Sequence, residues 1–135
     1  DPYGLCSTKL NKALGGRPHD EKQAHHIIPE EVWKKNTAFF GKIGMGDMMD
    51  DRSNGILMPS SEAKARKMRR QLFHCGSHGG YSATVDQQVS SIRRQFEQGQ
   101  LSADEARRQI GRLQSVNRTM LRAPLLPGTS PVRLS

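Results

Sequence analysis

Four of the five histidines in this chain of 135 residues fall into two groups, His25-His26 and His74-x-x-x-His78. Imidazole ligates transition metals and accepts protons near neutral pH, so grouped histidines point to a metal centre, a proton-transfer site, or both. Successive side chains of an extended segment face opposite sides. His25 and His26 therefore take different tasks, one facing a metal and the other a reacting water. Residues four apart on a helix share a face, which lets His74 and His78 meet at one ion. Gly76 and Gly79-Gly80 place a helix end here and leave His78 on a turn. His19 has no such company and is read as a structural hydrogen-bonding residue.

These side chains need elements to position them. The run Gln23-Ala-His-His-Ile-Ile-Pro29 reads as a short strand, and Ile56-Leu57-Met58, stopped by Pro59, as a second one; the two form a small hairpin closed by a long connection. Within that connection, Gly44-x-Gly46 lacks the strand before it and the Lys-Ser/Thr ending of a phosphate loop. Pro29 with Glu30-Glu31 starts a helix whose apolar side is Val32, Trp33, Phe39, Phe40 and Ile43. Ser60 or Ser61 caps a basic helix over 60–74 with Ala65, Met68 and Leu72 on one stripe. Val85, Val89, Ile92 and Phe96 mark another helix, ended by Gly99. The capping box Ser102-x-x-Glu105 opens a further one carrying Ala106, Ile110, Leu113 and Met120, so a helical hairpin is expected over 82–121. A short helix near 7–14 precedes all of this, and the Pro- and Gly-containing tail 122–135 is expected to be irregular. The fold class is α+β, mostly helical, in one domain.

Charge narrows the partners. The formal net charge is +8, and residues 52–135 hold 14 Lys/Arg against 5 Asp/Glu. A polyanion, nucleic acid above all, is the partner such an excess favours. No segment approaches the roughly 18 apolar residues of a spanning helix, so membrane insertion is not expected. Cys6 and Cys75 allow at most one disulfide. An opening of Asp-Pro-Tyr, without initiator Met or leader pattern, reads as a processed chain or as a domain cut from a longer protein.

Three motifs in order, Ala24-His25-His26-Ile27-Ile28-Pro29, Asn54-Gly-Ile-Leu-Met-Pro59 and His74-Cys-Gly-Ser-His-Gly-Gly-Tyr81, carry a resemblance over roughly residues 24–89. The chain resembles the AHH family of the HNH/endonuclease VII nuclease superfamily, toxin nucleases often found at the C-terminal ends of bacterial polymorphic toxins. The resemblance implies a ββα-metal (His-Me) finger embedded in helices, with its core over about 24–80 of a single domain 1–135. It implies that His25 and His78 are metal ligands, that His26 is the general base, and that Asn54 braces the loop and base. His74 is either a third ligand or a phosphate contact. One divalent ion is implied, Mg2+ first, with Zn2+, Ni2+ and Mn2+ as alternatives. Arg66, Lys67, Arg69 and Arg70 of the basic helix are candidates to hold flanking phosphates without reading bases. The expected substrate is DNA, with RNA as the alternative. As a toxin the domain would be delivered by its producer within a larger protein, act in the cytoplasm of a target cell, and have a cognate immunity protein of acidic character.

Two rival readings belong to other classes. In a zinc-stabilised binding module, Cys75 and His78 would join His25 or His26, with Cys6 recruited from a distance, to close a four-ligand structural site. In a plain helical interaction domain the histidines would be incidental and nothing would be cleaved.

Overall fold

The computed structural model describes residues 8–17, 20–76 and 78–135; Cys6 and His19 lie outside the described residues. The expected hairpin forms from β1 (Lys22–His26) and β2 (Gly55–Pro59), paired antiparallel with His25 opposite Ile56 and His26 opposite Gly55. Both strands bury most of their length, because α1 (Thr8–Ala13) covers one side and the helices cover the other. Gly55 is dictated by that packing: a Cβ there would stand 2.5 Å from Leu10 Cδ1 and 2.9 Å from Leu14 Cδ1.

The helix predicted after Pro29 breaks in two, α2 (Glu30–Lys35) and α3 (Thr37–Lys42). Asn36 makes the break. It is buried, donates from Nδ2 to the Val32 carbonyl and accepts from Arg93 Nη1 at 2.7 Å. The kink lets Trp33 stack on Phe40 at 3.9 Å between ring centroids and 9° between planes, a contact at the centre of the apolar core.

Two expectations for the segments after β2 need correction. The basic helix stops early: α4 (Glu62–Met68), capped by Ser61 Oγ, ends at Arg69, which adopts the left-handed conformation with φ 56°. The amides of Arg69 and Arg70 bond back to the carbonyls of Arg66 and Ala65, a Schellman closure that terminates the helix. Few apolar residues oppose that closure, since Ala65 is the buried residue of α4. The following Leu72–Phe73 forms β3, paired in parallel with β4 (Val132–Arg133), so the tail is not wholly irregular. Gln71 clamps the tail through Ser130 O, Leu126 N and Thr129 Oγ1, and Leu134 is buried.

The helical hairpin is α5 (Gly79–Glu97) and α6 (Ala103–Leu121). Its capping box is present, with Ser102 Oγ accepting from the Glu105 amide and Glu105 Oε1 accepting from the Ser102 amide. Val85, Val89, Ala106 and Ile110 are fully buried as their spacing requires. Met120 is 40% exposed, however, and Leu121 takes the buried place, because the stripe steps through Asn117 rather than Val116. The whole is a mostly helical α+β fold: a small hairpin, then helices, then a long helical pair. No helix among the described residues is long and apolar enough to cross a membrane.

Candidate metal centre and active site

Three elements bring three histidines together. His25 lies on β1. His74 follows β3 and is held against the hairpin by its amide, which donates to the Pro59 carbonyl at 2.9 Å. His78 is the N-cap of α5. Their ring centroids form a nearly equilateral triangle with sides of 5.0, 4.9 and 4.9 Å, and one ligating nitrogen from each lies within 4.8 Å of the others. His74 and His78 therefore converge from a loop and a helix start, without the shared helical face that their spacing suggested.

The cluster has the properties of a ligand set. His25 Nε2 and His74 Nδ1 are buried and have no hydrogen-bond partner among the described residues. A buried polar atom left in this state costs about 1–3 kcal/mol. A cation shared by the rings relieves that cost, and the donor set of imidazole nitrogens suits a transition ion. Burial lowers the pKa of His25 well below the ordinary histidine value, and His74, His78 and His26 add to the effect. Burial and then His78 bring His74 down to about 4, and burial lowers His78. All three rings are thus held neutral at physiological pH, the form that ligates. The Tyr81 ring packs 5.2 Å from His25 and 5.6 Å from His78 and closes the cluster on one side. Its hydroxyl donates to the Ile27 carbonyl, and burial raises its pKa, so it remains protonated.

His26 has different company. Its Nε2 lies 2.7 Å from Asp50 Oδ1, with His26 8% and Asp50 21% exposed. An ionised carboxylate only accepts, so Nε2 carries the proton and the lone pair resides on Nδ1. Sequence reasoning missed Asp50. Its one signal was an acid inside the turn-rich connection, and only the pairing of β1 with β2 brings that connection back to His26.

Asn54 holds the connection in place. It is fully buried; its Oδ1 accepts from the Ile28 amide at 2.9 Å and from Gln114 Nε2 at 3.2 Å, while Nδ2 donates to the carbonyls of Ile28 and Met49. These bonds tie the exit of β1 to the residue preceding Asp50. Asn54 is thus a brace whose amide is spent on backbone and on Gln114. Arg118 adds a second brace from α6, donating to the Ser53 carbonyl at 2.8 Å and to the Gly55 carbonyl at 3.3 Å.

The basic candidates separate. Arg66, Lys67 and Arg69 are exposed, with Arg66 contacting Glu62 and Ser130. Arg70 is half-buried and turned inward, donating to the Leu121 carbonyl at 3.3 Å and to Met58 sulfur at 3.6 Å. Its charge sits at the C-terminal end of α6, where a cation is favoured.

The hairpin carries two adjacent histidines, the first of which meets His74 and the N-cap of α5 in one cluster, in accord with the HNH-type phosphodiester hydrolase that the motifs imply. Over residues 7–120 the chain matches the AHH family, described as a nuclease family of the HNH/ENDO VII superfamily with conserved AHH, and it belongs to that family. Comparison with curated proteins and with solved structures gives no match. The motif Ala24-His25-His26 is the one the family's description names. HNH nucleases use a metal ion, and the cluster of His25, His74 and His78 could hold one.

Proposed function

We propose that the chain is a DNA-cleaving, largely sequence-nonspecific nuclease in which His25, His74 and His78 hold one transition-metal ion and His26 is the general base. The observation that carries this reading is the contrast on adjacent residues: His25 Nε2 is buried without a partner among the described residues, whereas His26 is oriented by a carboxylate 2.7 Å away. When bound, the ion supplies a Lewis acid for charge that grows on the phosphate and the leaving oxygen. His26 Nδ1 accepts the proton of a water as that water's oxygen bonds to phosphorus and the bond from phosphorus to the leaving oxygen breaks. Asp50 keeps the imidazole in the tautomer with its lone pair on Nδ1 and stabilises the imidazolium formed. Asn54 keeps Asp50 within reach. Arg66, Lys67 and Arg69 hold flanking phosphates by charge; Arg70, turned inward, serves the fold.

Three imidazoles favour Zn2+ or Ni2+ over Mn2+ and over Mg2+, which suit oxygen ligands better. A closed structural zinc site has less support, since Cys75 is exposed and His26 is engaged by Asp50. The preference for DNA, a toxin role in the cytoplasm of a target cell, and an acidic immunity partner are what the resemblance to toxin nucleases implies, with the basic composition in accord. The test is incubation of the purified protein with plasmid DNA and with RNA, after EDTA treatment and after addition of each ion. Cleavage of DNA that EDTA abolishes and a transition ion restores is expected. Failure to cleave either polymer with any ion would overturn the reading.

A further inference from the structure

His78 caps α5, and Ser82 stands one turn further on, its amide donating to the His78 carbonyl at 3.1 Å. This first helical bond sets the serine hydroxyl beside the imidazole, with Ser82 Oγ 3.3 Å from His78 Nδ1. The same oxygen lies 2.7 Å from Glu31 Oε1, in the first turn of α2. A serine hydroxyl has one proton to give, and an ionised carboxylate can only accept it. Ser82 therefore donates to Glu31 and is left as an acceptor, to which His78 donates from Nδ1–H. Hydrogen counting along this chain allows one tautomer of His78.

We propose that Ser82 and Glu31 are positioning residues for the metal site, holding His78 as the Nδ1–H tautomer so that Nε2 keeps the lone pair for the ion shared with His25 and His74. The inference rests on the metal-site reading above. A ligating histidine commonly donates its other ring N–H to a fixed acceptor, which sets both tautomer and ring orientation. His78 needs such a partner more than His25 does, since His25 is 2% exposed and enclosed by three rings, whereas His78 lies half-buried at a helix start. The relay also couples the site to α2, which is joined to α5 a second time by Lys35 Nζ and Asp86 Oδ2 at 2.9 Å.

Two readouts test this on the full chain. In the 15N-labelled, metal-free protein, the imidazole nitrogens should report Nδ1–H for His78 in the wild type and a mixture of tautomers in Ser82→Ala. Titration calorimetry with Zn2+ and Ni2+ should show affinity about 10- to 100-fold weaker for Ser82→Ala, a smaller loss for Glu31→Gln, whose amide oxygen still accepts the serine proton, and recovery in Ser82→Thr. A folded Ser82→Ala protein with unchanged tautomer and unchanged affinity would overturn the proposal. Should that variant fail to fold, Glu31→Ala is read in its place by the same criteria. Absence of Zn2+ and Ni2+ binding by the wild type would defeat the metal reading, and the tautomer measurement then decides the relay alone: Nε2–H in the wild type overturns it.

Discussion

His25 and His26 are neighbours on one strand, yet they belong to two regions built on opposite principles. Around His25 the polar atoms are left short of partners, with two buried imidazole nitrogens carrying no hydrogen bond among the described residues. Around His26 the ring is paired with Asp50, and the loop that carries Asp50 is tied down by Asn54, Gln114 and Arg118, with Ser53 Oγ the buried atom left over there. Unsatisfied groups in a core are costly and persist where a ligand completes them. Satisfied networks hold a geometry without outside help. The donor atoms of the first region suit a cation, and the second is preorganised by the chain alone.

The sharpest way to break this comparison is to remove one histidine from each region. His25→Ala and His78→Ala should lose detectable metal binding and cleavage together, while His26→Ala should keep metal affinity within about threefold and lose about 10²- to 10⁴-fold in cleavage rate. Calorimetry and plasmid nicking measure the two quantities separately, and full activity in His26→Ala would remove it from the role of base. Asp50→Asn comes next, with a fall on the order of 10²-fold in rate at unchanged metal affinity, because an amide can donate to Nε2 and select the wrong tautomer. Unaltered turnover in that variant would make the carboxylate incidental.

Asn54→Ala probes the brace. It strands the Ile28 amide and the Ile28 and Met49 carbonyls, so denaturant unfolding should show a loss of at least about 2 kcal/mol. A loss below about 0.5 kcal/mol would mean that water replaces the amide at little cost.

Acid provides a gentler test of the unpaired region. The folded pKa of His74 is about 4, below the ordinary value of 6.5, and His25 and His78 are shifted in the same direction. Between these values the unfolded chain binds protons that the folded chain refuses, so stability is full above about pH 6.5 and declines as pH falls toward 4. Melting of the metal-free protein from pH 8 to 4 should show this decline, and His74→Gln should flatten it. An equal slope in both would show that His74 does not carry it. The smallest effects belong to the surface: Lys67→Ala should weaken DNA binding modestly for all sequences and reduce the salt slope by about one.

What could be read from the sequence was local. The histidine pair, the hairpin runs, the capping box and the stripe through Val85 and Val89 depend on spacing alone, and each stands where its period puts it. What escaped depends on distant segments. The Asp50 carboxylate reaches His26 from 24 positions away only when the connection folds back, and β4 reaches β3 from about 60 residues away. The helical reading of 60–74 failed for the same reason, since the tail supplies Leu72 and Phe73 with ladder partners that no local pattern announces. The inward turn of Arg70 likewise follows from the position of the α6 end, not from its place in a basic run.

Arg69 ends α4 in the left-handed conformation, at φ 56°. A branchless residue would adopt that backbone more cheaply, since a non-glycine residue in this region costs about 1–2 kcal/mol. Arg69→Gly is therefore expected to yield a more heat-resistant protein with one surface cation fewer. Selection for folding alone would favour glycine at such a terminus. The guanidinium at this position stands as a small debt of stability that the rest of the fold carries.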